Sequence, residues 1–122
     1  MNHAETIRSY YAAWVRDDIP AVLALCTEDV VAGIMPGKNL VGREAVAGFL
    51  TKFGKALTDK HYDIAAIVVQ DDVAMIEGVE SYLRDGKPVK LPFMTVFRFR
   101  SGAIASWRDY FDMQTLLDQI KT

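Results

Sequence analysis

The sequence predicts an α+β domain in which N-terminal helices pack on a curved, mainly antiparallel sheet. Apolar residues recur at helical spacing as far as Leu57, and from residue 61 onward the repeat changes to two. The turn sequences "QDD", "RDG" and "RSG" cut that second half into strands, so helices come first and strands follow.

In "ETIRSYYAAWVRDD", Ile7, Tyr10, Tyr11, Trp14 and Val15 share helical spacing, which predicts an amphipathic helix near 4–17 with an aromatic face. Asp18 is a candidate N-cap for a second, short helix with Pro20 in its first turn. "TEDVVAGIM" reads as a short strand and "PGKNLVG" as a turn. "REAVAGFLTKFGKAL" repeats Val46, Phe49, Leu50, Phe53 and Leu57, a third helix. Four strands follow near 62–69, 73–84, 88–100 and 103–111, and "DMQTLLDQI" reads as a closing helical turn. Close turns between the four strands imply antiparallel pairing. A sheet of such long strands can curl into a cone whose interior is too deep for side chains to fill at its mouth.

The chain of 122 residues, 51% hydrophobic and 25% charged, matches one domain over 1–122. A net charge of -2, with no run of Lys or Arg, gives no basic field for nucleic acid or anionic lipid. The N-terminus is too polar for a signal peptide and no segment is long enough to span a bilayer, so a cytoplasmic protein is expected. Cys26 is the single cysteine and sits among apolar residues, as an inert buried thiol does. His3 and His61 have no second ligand at metal spacing, so neither a metal nor a cofactor is expected.

The strand "PVKLPFMTVFRFR" alternates Val89, Leu91, Phe93, Thr95, Phe97 and Phe99, an inward row, with Lys90, Pro92, Met94, Val96, Arg98 and Arg100. In the last strand Ala103, Ala105, Trp107, Asp109 and Phe111 form the apolar row, and Ile104, Ser106, Arg108 and Tyr110 the mixed one. Asp109 is therefore expected to face inward. A buried carboxyl is costly unless hydrogen-bonded or protonated, and either remedy suits it to exchange protons near neutral pH. Spacing equally allows Asp109 to cap the closing helical turn or to pair with a surface arginine. Glu77 and Glu80 point to opposite faces of their strand, and both rows are equally apolar, so parity does not choose between them. Tyr10 and Trp14 read as core aromatics or as groups facing a cavity. The outer row is too apolar for a solvated sheet face, and a homodimer through it is expected.

"EGVESYL" followed by "LPFMTVFRFRSGAIASWRDYFDM" resembles limonene-1,2-epoxide hydrolase and the SnoaL-like polyketide cyclases, members of the nuclear transport factor 2-like superfamily. The resemblance implies the cone fold of that superfamily, a homodimer, and a catalytic role for the aspartate of "WRDYFD", here Asp109. It implies an acid at Glu80 and, from the steroid isomerases, a first-helix phenol at Tyr10. The arginine of the epoxide hydrolases falls at Gly78, and the tyrosine and asparagine that hold their water fall at Ala32 and Ile34, so that water site is incomplete.

Together these readings predict an acid/base enzyme on a small apolar molecule of terpenoid, steroid or polyketide type. Asp109, Glu80 and Tyr10 are its catalytic candidates. Trp14, Met35, Phe93, Thr95, Phe97, Trp107 and Phe111 are the candidate walls. The alternative is a non-catalytic cone that binds small molecules or serves structurally as a dimer.

Overall fold

The computed structural model describes residues 1–35 and 37–121. Pro36, Thr122 and the side chain of Met35 lie outside the described residues, and with them the expectation for Met35.

Helix α1 (His3–Val15) opens on a capping box: Asn2 accepts from the Glu5 backbone and Glu5 accepts from the Asn2 backbone, at 2.8 and 3.0 Å. It ends earlier than its apolar spacing suggests because Asp17 adopts a φ of 59° and reverses the chain. Asp18 then caps α2 (Ile19–Ala24), accepting from the Ala21 backbone at 3.1 Å. Val15, at the end of α1, points to solvent.

The strand expected to be short is β1 (Cys26–Met35), ten residues long, and the expected turn after it contains β2 (Asn39–Val41). Helix α3 (Arg43–Lys55) precedes β3 (Leu57–Gln70), β4 (Val73–Arg84), β5 (Lys87–Arg100) and β6 (Ala103–Tyr110). Strand β3 starts at Leu57 because its first residues pair with the end of β4, across an irregularity at Asp59 that hides the two-residue repeat. Asp85–Gly86 and Ser101–Gly102 all have positive φ, the backbone of tight hairpin turns. The closing segment is a two-turn helix, α4 (Met113–Ile120), capped by Asp112.

The six strands form one sheet in the order β2-β1-β6-β5-β4-β3. Strands β3 to β6 pair antiparallel as their turns require, but β1 lies parallel to β6, with Ile34 opposite Asp109. A helix and four strands separate the two in sequence, which leaves room for the crossover a parallel pair needs.

The inward row of β5 is buried as expected. The row of β6 is not simple. Phe97 faces Trp107 but Phe99 faces Ile104, so β6 carries one extra residue and alternation reverses there. Ile104, expected on the outer face, is consequently fully buried in the core with Ile7, Val30, Val46 and Phe97. No helix among the described residues is long and apolar enough to cross a membrane.

Candidate active site

A cavity of about 570 Å³ lies between the concave face of the sheet and helices α1, α3 and α4, within the range of small-molecule sites. Tyr10, Tyr11 and Trp14 reach it from α1, Phe49 and Phe53 from α3, and Leu116, Leu117 and Ile120 from α4. Helix α4 has an apolar face because it closes this space, so it contributes wall residues where only a terminal turn was expected.

Asp109 faces this cavity from β6. Its cross-strand partner on β5 is Thr95, whose hydroxyl donates to the carboxylate at 2.7 Å. Burial raises the Asp109 carboxyl to about 6, and the Thr95 hydroxyl acts against the rise by stabilising the ionised form. On the other side Asp109 lies opposite Ile34 of β1, and Ala32 follows two residues back, opposite Trp107. Both line the cavity, so the β1 side chains beside the carboxylate are hydrocarbon.

The choice between Glu77 and Glu80 is made by tertiary packing. Ala74, Ile76, Gly78 and Tyr82 are buried, which turns Glu80 inward onto the cavity and leaves Glu77 exposed. Glu80 pairs directly with Tyr62 of β3. Burial raises its carboxyl to about 7, the Tyr62 hydroxyl partly offsets this, and the charge of Asp109 adds to it. Trp14 Nε1 donates to the Tyr62 oxygen at 2.9 Å, which leaves the Tyr62 proton free to serve the carboxylate.

Tyr10 packs edge-on against Trp107 and Phe97, with ring centroids 5.1 and 5.3 Å away. Burial holds its phenol well above the ordinary tyrosine range, with the neighbouring Tyr11 and Asp109 contributing in the same direction. It therefore stays protonated and can donate. Trp14, Phe93, Trp107 and Phe111 line the cavity. Thr95 and Phe97 do not: at 1% and 0% exposure they lie beneath its floor, Thr95 supporting Asp109 and Phe97 supporting Tyr10.

Several contributors lacked a sequence signal. Tyr62 lies in the irregular part of β3, and Tyr11 shares the aromatic face of α1 without a motif to mark it. Lys60 is a buried lysine whose ammonium donates to the Trp14 carbonyl at 2.6 Å and to Asp17, and lies 3.8 Å from the centre of the Trp14 ring. It braces the indole that braces Tyr62. Among the described residues no group of His, Cys, Asp and Glu is placed to hold a metal.

The family profile described as a SnoaL-like domain matches residues 7–107. The chain belongs to the SnoaL-like family. Solved SnoaL-like and related folds superpose over nearly its full length. A nuclear transport factor 2-like protein of unknown function from Burkholderia pseudomallei gives a TM-score of 0.90 at 22% identity, covering 100% of this chain and 99% of that one. A candidate polyketide cyclase from Pseudomonas putida gives 0.85 at 28% identity, covering 99% of each. An LEH-like epoxide hydrolase from M. tuberculosis gives 0.82 at 21% identity, covering 95% and 90%. No curated protein matches the sequence. These likenesses bear out the cone fold.

One departure from the epoxide hydrolase pattern has a steric cause in this SnoaL-like chain. A Cβ at Gly78 would stand 2.5 Å from the Asp63 carbonyl oxygen and 3.3 Å from the Ile64 Cα, where β3 and β4 pair irregularly. The backbone of β3 occupies the place a side chain at 78 would need, so an arginine cannot reach the two carboxyls from there.

Proposed function

We propose that the protein is a cytoplasmic acid/base enzyme that removes a proton from carbon beside a carbonyl group of a largely apolar substrate. Asp109 is the base, Glu80 the acid or polarising group, and Tyr10 a hydrogen-bond donor to the substrate oxygen. The observation that carries this reading is the unequal setting of two carboxyls in one apolar cavity. Asp109 is stabilised as the anion by Thr95, and Glu80 is kept protonated to higher pH, in part by the charge on Asp109.

The chemistry runs in two proton transfers. Asp109 takes the proton from carbon, the electron pair of the C–H bond delocalises onto the carbonyl oxygen, and Glu80 or Tyr10 donates a hydrogen bond to the oxygen as its charge grows. An enolate conjugated with a neighbouring double bond then takes the proton back from Asp109 at its far carbon, which is isomerisation; otherwise its carbon attacks a second carbonyl of the same molecule and the resulting alkoxide takes the proton held by Asp109, which is cyclisation and restores the carboxylate. The resemblance of a candidate polyketide cyclase at 28% identity supports the second outcome. Epoxide hydrolysis is disfavoured because Ala32 and Ile34 offer no side-chain group to hold a water beside Asp109.

Deuterium exchange tests the first step directly. A panel of aromatic and terpenoid enolisable ketones in D2O, followed by proton NMR, is expected to lose α-proton signal faster with the protein. Asp109→Asn should slow this by roughly 10²- to 10⁴-fold. Exchange that survives Asp109→Asn undiminished would remove Asp109 as the base. The hydrocarbon lining next to Asp109 also suits a second reading, a non-catalytic binding cone. Ketones that bind but never exchange would establish that one.

A homodimer through the outer sheet face belongs to the same proposal. Met75, Met94 and Tyr110 are 47%, 46% and 38% exposed and neighbour one another across β4, β5 and β6 by way of Val96 and Glu77.

A further inference from the structure

The walls of the cavity are mostly hydrocarbon, and the exceptions include two carboxyls, Asp109 and Glu80, and a cation. Arg84 lines the same cavity as Glu80 and Asp109. It stands on the inward row of β4, four residues beyond Glu80, so the two side chains leave the strand about 13 Å apart on the same face. The residue is half-buried, and its guanidinium carbon lies 5.6 Å from the centre of the Phe53 ring, which also lines the cavity. Among the described residues it makes no ion pair with a carboxylate and donates no side-chain hydrogen bond; Arg8, Arg98 and Arg108 also lack a partner, but Arg84 alone of the arginines lines the cavity. Lys38 also lines the wall, but it is exposed and precedes β2, at the opposite edge of the sheet from β3 and β4.

A guanidinium over an aromatic ring, with no carboxylate beside it, keeps all five donors for something else. Resting on the reading that this cavity is the substrate site, we propose that its ligand is an amphipathic acid: an apolar body whose anionic end group is held by Arg84 while the opposite end reaches Asp109 and Glu80. The distribution of charge favours one orientation. An anion is repelled from the carboxyls and drawn to Arg84, so the reacting carbon is presented to Asp109 and Glu80. The spacing along β4 sets the length between the anionic group and the reacting end at about 13 Å or somewhat less.

Binding can be measured without turnover, because Trp14 and Trp107 both line the cavity and their fluorescence reports occupancy. Decanoate and methyl decanoate, titrated at pH 7.5, differ only in the charge at one end and have about the required reach. Decanoate is expected to bind at least about tenfold more tightly than the ester, as a charge-assisted hydrogen bond to Arg84 implies. In Arg84→Gln the two affinities should become equal, and Arg84→Lys should retain part of the preference. Equal affinities in the wild-type protein, a preference that persists in Arg84→Gln, or no binding of either probe would overturn the proposal. If Arg84→Gln does not fold, the wild-type ratio and the Arg84→Lys ratio still decide. If Arg84 merely covers Phe53, its replacement changes stability and leaves the ratio alone. Acid selectivity without deuterium exchange would overturn the catalytic reading and leave this one standing.

Discussion

Thr95 and Asp109 face each other across β5 and β6, and the threonine hydroxyl donates to the carboxylate at 2.7 Å. Thr95 is itself almost wholly enclosed, between Asp109 and the Tyr11 hydroxyl. Its hydroxyl favours the ionised form of Asp109 against the pull of burial. Thr95→Val keeps the shape and removes the donor. The Asp109 carboxyl should then titrate above its value of about 6, read by carbon NMR of the side chain or by the acid limb of the exchange rate. An unmoved titration would show that the bond does not tune the base.

Tyr62 stands to Glu80 as Thr95 does to Asp109. Its hydroxyl lowers Glu80 from where burial alone would put it, and its oxygen accepts from Trp14. Tyr62→Phe is therefore expected to raise Glu80 above about 7 and to cost about 1 kcal/mol of stability, since the Trp14 N–H loses its partner. Thermal unfolding and the Glu80 carboxyl signal check the two effects separately. A Glu80 titration that stays put would limit Tyr62 to packing.

The two raised carboxyls make stability depend on pH in an unusual direction. Between about pH 4 and 7 the folded protein holds more protons than the unfolded chain, so stability falls as pH rises through this window. The contribution is complete below about pH 4 and gone once pH has passed the folded values of about 6 and 7, amounting to roughly 3 kcal/mol at most for each group. Asp29, held near 2 by Arg100, acts in the opposite sense but only in more acid solution. Tm should be higher at pH 5 than at pH 8, and Asp109→Asn should shrink the difference. A Tm that climbs from pH 5 to pH 8 would contradict this burial of the pair.

Gly78 and Gly48 form a matched comparison. At Gly78 an added Cβ meets a backbone carbonyl at 2.5 Å, whereas at Gly48, within α3, it meets nothing within 4 Å. Gly78→Ala should cost on the order of 1 to 3 kcal/mol, and Gly48→Ala should be neutral or stabilise by up to about 1 kcal/mol. Denaturant unfolding of the two variants gives the answer. Equal stabilities would mean that β3 can yield, and an arginine at 78 would no longer be excluded.

The apolar outer face should behave as an interface. Met75→Lys with Met94→Lys places two charges among exposed methionines and should convert a dimer to a monomer by size-exclusion chromatography. A wild-type protein that elutes as a monomer at micromolar concentration would leave this face without a partner.

The helices, the hairpin turns and the inward row of β5 were legible in the sequence because each is written in local spacing: 3.6 residues for α1 and α3, two for β5, and Asp-Gly or Ser-Gly at the turns. The same spacing marked Asp109 as an inward acid, and tertiary structure agrees with it. What periodicity could not carry was any feature that breaks it or that depends on a neighbour. The extra residue in β6 sends Ile104 to the core against its expected parity, and the irregularity near Asp59 hides the start of β3. The strand "TEDVVAGIM" became a long parallel neighbour of β6 because a crossover placed it there. Glu80 rather than Glu77 faces the cavity only because the helices cover one face of β4 and not the other. Lys60 is buried because Trp14 and Asp17, more than forty residues away, meet it. Local spacing assigns side chains to rows; only packing decides which row is covered, and covering is what turns a carboxyl into an acid or a base.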